Sequence, residues 1–187
     1  MNSDLFRGKL VRLSAEEPEE FGKAFSRWMR DSEYIRLLDT QTAVLLSEKK
    51  VTEWFKLEEL KMMDDILFSV RNLTEDRLVG FIALWGIRWN HGNSWMAIGI
   101  GDRQDWGRGY GRDALQVLLR YAFTELNLHR VGLYVFDYNT RARHVYEKCG
   151  FIYEGALRRF IYRDGNYWDE HVMGILKSEW EALAQDG

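Results

Sequence analysis

Apolar and polar positions change period several times along these 187 residues, and each change marks an element. Residues 8–13 alternate through Lys9-Leu10-Val11-Arg12-Leu13 and predict a first strand. Pro18 opens a helix on which Phe21, Ala24, Phe25 and Trp28 recur at helical spacing. Ser47 is a suitable N-cap for a second helix carrying Val51, Trp54, Phe55 and Leu57 or Glu58. The stretch 34–46 between them reads as irregular. Residues 66–70 predict a strand, 72–76 a turn and 78–87 a long apolar strand. Asn90-His91-Gly92-Asn93 then turns the chain into an antiparallel strand over 95–100.

Beyond Gly111 the period returns to helical, with Leu115, Leu118, Leu119, Ala122 and Leu126 on one face. Residues 131–136 are apolar on both faces, which suits a strand covered on both sides. Asn139 caps a short helix with an apolar face of Ala142, Val145, Tyr146 and Cys149, and Gly150 ends it. Strands over 151–161 and 167–176 pair across the turn Arg163-Asp164-Gly165-Asn166. A terminal helix covers 179–184. The order β, α, α, β, β, β, α, β, α, β, β predicts an α/β (α+β) fold, a mixed sheet with helices on its faces, in one domain over 1–187.

Composition narrows this little. Hydrophobic residues are 46% and charged residues 29% of the chain, ordinary globular values. A single Cys, Cys149, excludes an intramolecular disulfide framework. No apolar run approaches membrane-spanning length, and residues 1–8 carry Asp4 without an apolar core, unlike a secretory signal. The expected place is a reducing cytoplasm. A net charge of −3 argues against a nucleic-acid surface.

The most telling segment is Gln104-Asp105-Trp106-Gly107-Arg108-Gly109-Tyr110-Gly111-Arg112, set between the strand 96–100 and the helix that follows. Strand, glycine-rich turn and helix N-terminus together bind phosphate chains, and Arg108 and Arg112 add charge. A P-loop would end in Gly-Lys-Ser/Thr, which is absent here. A dinucleotide fingerprint needs a third glycine where Arg112 stands, and Asp137 lies further on than the usual ribose acid.

Gln104-x-x-Gly107-x-Gly109 instead resembles the pyrophosphate loop of the GNAT N-acetyltransferase superfamily. Downstream, Asn139-Thr140-Arg141-Ala142-Arg143-His144-Val145-Tyr146-Glu147-Lys148-Cys149-Gly150-Phe151 is similar to that family's Asn-x-x-Ala-x-x-x-Tyr-x-x-x-Gly-Phe segment. The tail, with Glu154-Gly155-Ala156-Leu157-Arg158, Asp169 and Met173-Gly174-Ile175-Leu176, looks like the branch of ribosomal-protein alanine and spermidine N-acetyltransferases.

The resemblance implies a GNAT fold of about seven strands, mostly antiparallel, with a splayed parallel pair that holds acetyl-coenzyme A. It implies cofactor contacts at Ile98, Gly99 and Ile100, at Gln104, Trp106, Gly107, Arg108, Gly109, Tyr110, Gly111 and Arg112, and at Asn139 and Arg143. Asn139 is equally explained as a helix cap, and Arg143 as a solvated helix position. Gly99 inside a strand also suits a bulge or a close ligand approach. Tyr146 reads from periodicity as a core tyrosine; the resemblance makes it the catalytic acid for the departing thiolate.

Acetyl transfer by direct attack in a ternary complex also needs an unprotonated amine. Many relatives in this branch carry a Glu where Trp95 stands, and no carboxylate lies near Trp95 in this strand. Glu154, Asp169 and His91 remain as candidate bases. The acceptor is expected to be a small-molecule primary amine, such as a polyamine or aminoglycoside, or a protein N-terminus. Its site is expected between the N-terminal helices and the last hairpin, among Tyr34, Trp54, Tyr153, Phe160 and Tyr162, with Glu154 and Asp169 for charge. Its specificity falls in 29–63 and 151–176. His129, His144 and His171 lack partners at ligand spacing and Cys149 stands alone, so no metal is expected. No nucleic-acid or membrane partner is expected, and a homodimer is compatible with the resemblance. A coenzyme-A-binding module without turnover is the competing class; an acid at Tyr146 favours the enzyme.

Overall fold

A computed structural model describes residues 4–59 and 65–185. Residues 60–63 of the segment assigned to acceptor specificity, and the side chain of Leu57, lie outside the described residues. Seven strands form one sheet in the order β1-β2-β3-β4-β5-β7-β6. They are β1 (Val11–Ser14), β2 (Ile66–Asn72), β3 (Leu78–Arg88), β4 (Asn93–Ile100), β5 (Arg130–Phe136), β6 (Ile152–Arg163) and β7 (Asn166–Leu176). Every neighbouring pair is antiparallel except β4 and β5. The helices are α1 (Pro18–Trp28), α2 (Ser32–Leu38), α3 (Glu48–Glu59), α4 (Tyr110–Arg120), α5 (Thr140–Lys148) and α6 (Lys177–Gln185).

One helix departs from the sequence expectation. The stretch expected to be irregular from Tyr34 onward begins inside α2, a seven-residue helix with an Asp31 N-cap. Asp31 accepts a hydrogen bond from the Glu33 N–H at 3.0 Å. The helix is too short to display a period and buries only Tyr34 and Ile35. Its cap was the available signal. The N-terminal part of the fold therefore holds three helices where two were expected.

The sheet is covered on both faces. Ile82 joins the cluster formed with Leu115, Leu118 and Leu119 of α4, while its neighbour Phe81 packs on Phe21, Phe25 and Trp28 of α1. Successive strand residues point to opposite faces, so one strand serves two helical layers. Each fully buried Leu on α4 contributes on the order of 1.5–3 kcal/mol of apolar burial. Strand β5 is less enclosed than its sequence suggests: Val131, Leu133 and Val135 are buried, but Tyr134 is exposed.

Two polar anchors fix the elements around the loop after β4. The Asp113 carboxylate on α4 accepts from the N–H groups of Lys9, Leu10 and Val11 at 3.0, 2.7 and 2.9 Å, tying the start of β1 to α4. Arg77 makes a two-pronged ion pair with the buried Asp105 at 2.9 and 2.7 Å, clamping the base of the glycine loop to β3. Among the described residues no helix is long and apolar enough to cross a membrane.

Candidate active site

The site begins where β4 and β5 part. Their parallel pairing runs only from Asn93 with Arg130 to Trp95 with Gly132. Beyond it β4 continues through Ile98, Gly99 and Ile100 paired to β3 alone, and β5 continues paired to β7 alone. The facing edges of both strands are thereby left with free backbone groups. Gly99 pairs regularly with Phe81, so it is not a bulge. It is a close approach: a Cβ there would stand 2.6 Å from the Phe81 ring and 2.7 Å from the Tyr34 hydroxyl.

A cavity of about 320 Å³ lies along this edge. Ile98, Gly99 and Ile100 form its floor, and Trp106, Gly107, Gly109, Tyr110, Gly111 and Arg112 form its loop wall. Asn139, Arg141, Ala142, Val145, Tyr146 and Lys148 close it from α5, and Tyr34 and Leu38 from α2. Gly107 and Gly109 hold φ of +75° and +86°, conformations that side chains rarely adopt. Gly109 is the N-cap of α4 and offers no side chain to the helix end. The first N–H groups of α4 therefore face the cavity without intrahelical partners, beside Arg112, Arg141 and Lys148. Trp106 is fixed by a 2.7 Å hydrogen bond from its indole N–H to the Ile100 carbonyl, and Arg141 lies 4.1 Å over its ring.

Most residues expected around a cofactor meet here. Three do not: Gln104, Arg108 and Arg143 are absent from the cavity wall. Gln104 and Arg108 are exposed, and Arg143 leans on Glu147 one turn along α5 at 3.6 Å. Tyr34, Arg141 and Lys148 were not expected. The Tyr34 hydroxyl is buried with no hydrogen-bond partner among the described residues, and burial, then the charge of Asp102, pushes its pKa up.

Asn139 is the N-cap of α5 as well as part of the wall, its side chain accepting from the Ala142 N–H at 3.2 Å. Tyr146 sits one turn from the end of that helix, buried, its pKa pushed up to about 12 by burial and then by Cys149. The Cys149 thiol is itself pushed up by burial, partly offset by Arg112.

A second cavity, of about 400 Å³, adjoins the first. Leu37, Leu38, Ile98, Asn139 and Tyr146 line both. The remaining wall comes from Asp39 and Thr40 at the end of α2, from Trp85, Met96 and Ala97, and from Tyr134, Val135, Phe136, Phe160 and Glu170. Of the aromatics expected at an acceptor site, Phe160 lines this cavity and Tyr34 the first; Trp54, Tyr153 and Tyr162 are exposed and line neither. The candidate bases are also elsewhere. Glu154 pairs with Arg130. Asp169 accepts from the Arg159 N–H at 2.7 Å. His91 is exposed in the β3–β4 turn beside Asn90, 3.2 Å away.

Two carboxylates do reach the cavity, Asp39 and Glu170; Glu170 is the one on the last hairpin, where sequence reasoning named its neighbour Asp169 instead. Glu170 is buried, and its pKa is raised by burial and then by Asp39. Strand alternation puts 169 and 170 on opposite faces, so one residue of register separates a surface acid from a cavity acid. Among the described residues no group of three or more His, Cys, Asp or Glu gathers to hold a metal ion.

Comparison with known proteins agrees with this fold. The model of the acetyltransferase (GNAT) domain matches residues 11–152. A spermidine N(1)-acetyltransferase of Vibrio cholerae is 36% identical over 106 residues, covering 57% of this chain and 61% of that enzyme, less than two thirds of its length. The prophage-derived N-acetyltransferase YokL of Bacillus subtilis is 26% identical over 93% of this chain and 94% of its own. The crystal structure of spermidine N-acetyltransferase from Vibrio cholerae with CoA and spermine superposes with a TM-score of 0.81 at 26% identity, covering 91% of this chain and 98% of that one.

Proposed function

The chain belongs to the GNAT acetyltransferase domain family, and on that premise we propose that it transfers the acetyl group of acetyl-coenzyme A to a primary amine of a polyamine-like cation. The observation that carries the reading is the meeting of two cavities at Tyr146, one built for a phosphate-bearing arm and the other for a cation.

The residues of the first cavity fit coenzyme A. The uncapped start of α4 with Arg112, Arg141 and Lys148 suits the pyrophosphate. The unpaired edge of β4 at Ile98 to Ile100 suits the amides of the pantetheine arm, and the partnerless Tyr34 hydroxyl waits for a polar group. When bound, the coenzyme supplies the acetyl thioester.

The second cavity fits a cation. Glu170 and Asp39 bring negative charge, and the faces of Trp85 and Tyr134 attract an ammonium group. The relatives named for spermidine, and the neighbour bound to spermine, support a polyamine in particular.

Tyr146 is the residue that touches both substrates in this reading. A thiol has a pKa of about 8.5, so handing it a proton from a phenol pushed up to about 12 is uphill taken alone. The transfer becomes favourable when the same oxygen takes the strongly acidic proton from the nitrogen of the new amide. Tyr146 then passes one proton on and receives another, and no phenolate accumulates in a buried site. Enclosure of both substrates supplies the orientation that makes attack effectively unimolecular.

The test is thiol release from acetyl-coenzyme A in the presence of spermidine, spermine, an aminoglycoside and a peptide with a free N-terminus. Release is expected with the polyamines. Silence across the whole panel would overturn the reading.

A further inference from the structure

We propose that Glu170, on β7, is the proton acceptor for the attacking amine, and that Asp39, at the end of α2, holds a second ammonium group of the same substrate. This rests on the acetyltransferase reading and adds the residue that reading lacks.

Three observations place Glu170 in this role. Its residue is 6% exposed, and its carboxylate, open only toward the cavity it lines, forms no hydrogen bond or ion pair among the described residues. Its acceptor oxygens are therefore left for a donor that enters the cavity. It also lines the same cavity as Tyr146. Finally, β4 brings no carboxylate to the splay: Trp95 stands there, its ring stacked on Tyr134 at 4.4 Å, and the acid that faces the cavity from the sheet is on β7.

The charged groups around Glu170 leave it the free one. Asp39 lies at the end of α2 and is exposed; its Oδ1 accepts from Gln41 N–H at 2.9 Å, leaving Oδ2 open. Arg163 of β6 stacks on Phe136 with its guanidinium 5.3 Å from the ring, and it donates to the Arg36 and Asp39 carbonyls and to the Tyr138 hydroxyl rather than to Glu170. Arg36 is paired with Asp164 at 2.5 Å. His171 follows on β7 but faces the Tyr153 ring, outside the cavity. From β5 and β6 the neighbours across the ladder are Phe136 and Leu157, neither of which ionises.

The protons balance. The bound ammonium gives one proton to the Glu170 carboxylate and becomes a neutral amine. Its lone pair forms the N–C bond to the acetyl carbonyl, and the C–S bond breaks with its electron pair on sulfur. Sulfur takes the Tyr146 proton, and Tyr146 takes the second proton from nitrogen. Glu170 returns its proton to water as the amide leaves. Burial raises the Glu170 pKa, which narrows the gap between donor and acceptor.

The experiment compares wild type, Glu170→Gln and Asp39→Asn with spermidine in two ways: turnover from pH 6 to 10, and calorimetric binding of spermidine to the CoA-loaded protein. Glu170→Gln is expected to lower kcat by about 10²-fold near neutral pH. The loss should shrink as pH rises and free amine becomes abundant, with acetyl-CoA affinity unchanged. Asp39→Asn is expected to raise KM with little change in kcat. Wild-type rates and an unchanged pH profile in a folded Glu170→Gln protein overturn the assignment. If no amine is turned over but spermidine binding still depends on Glu170 and Asp39, the cation site stands, and both the acetyltransferase reading and the proton-acceptor role fall. Absence of both turnover and binding overturns both proposals.

Discussion

Trp95 lies flat against Tyr134, ring centroids 4.4 Å apart and planes 20° from parallel, at the last point where β4 and β5 are still paired. The residue opposite Trp95 in the ladder is Gly132, and a Cβ there would stand 2.8 Å from the indole. The stack and the glycine are one device. It seals the closed end of the splay and leaves the open end to ligands. Gly132→Val is therefore expected to destabilise the protein by about 1–3 kcal/mol through overpacking. Urea denaturation measures this; an unchanged midpoint would mean that the indole has another place to lie.

Gly109 starts α4 with φ of +86° and has the Leu10 side chain 3.1 Å from its would-be Cβ. Gly109→Val forces a β-branched residue into that conformation and covers the helix end. Acetyl-coenzyme A affinity should drop sharply in calorimetry on a variant shown to be folded. Retained affinity would move the pyrophosphate elsewhere.

Tyr146→Phe keeps the ring within its apolar surroundings and removes the proton relay. Turnover should fall by about 10²-fold while the affinity for acetyl-coenzyme A barely changes. Full activity in this variant would reduce the tyrosine to packing.

Asp113 serves three backbone N–H groups at once. Asp113→Ala leaves them buried or half-buried without an acceptor, at about 1–3 kcal/mol for each group that water cannot reach. A large fall in melting temperature is expected. A fall no larger than that of an ordinary surface substitution contradicts the anchoring role.

The raised pKa of Glu170 has a definite sign in the stability of the ligand-free protein. Between the ordinary value of 4.5 and its raised folded value, the folded chain holds a proton that the unfolded chain has released. Stability therefore declines through that window as pH rises. Glu170→Gln should flatten the decline, and melting curves in series from pH 4 to 8 would show it. Equal slopes in both proteins would place the titration on another group.

Much of this was legible because it is local. The loop from Gln104 to Arg112, the cap at Asn139 and the Asp164-Gly165 turn are written in adjacent residues, and the structure holds them at left-handed φ or capped as such residues require. What failed to read was placement across the fold. Tyr34 reaches the first cavity only because α2 folds over β4, and no periodicity in seven residues announces that. Glu170 was passed over for Asp169 because nothing local tells which of two adjacent acids on β7 faces the cavity; only the pairing of β7 with β5 sets that. Arg108 and Arg143 carry the right charge for a phosphate, but charge alone does not aim a side chain.

Helix α2 sends Tyr34 to one cavity and ends at Asp39 in the other, and Arg163 and Tyr138 hold its last carbonyls in place. Two turns of helix are thus a wall common to both ligands. Any shift of that wall made by one ligand alters the affinity for the other, and by the same factor whichever is added first. Fold and order of addition are linked here through a single short element, so a substitution at Arg163, remote in sequence from α2, would register in the affinities for donor and acceptor together.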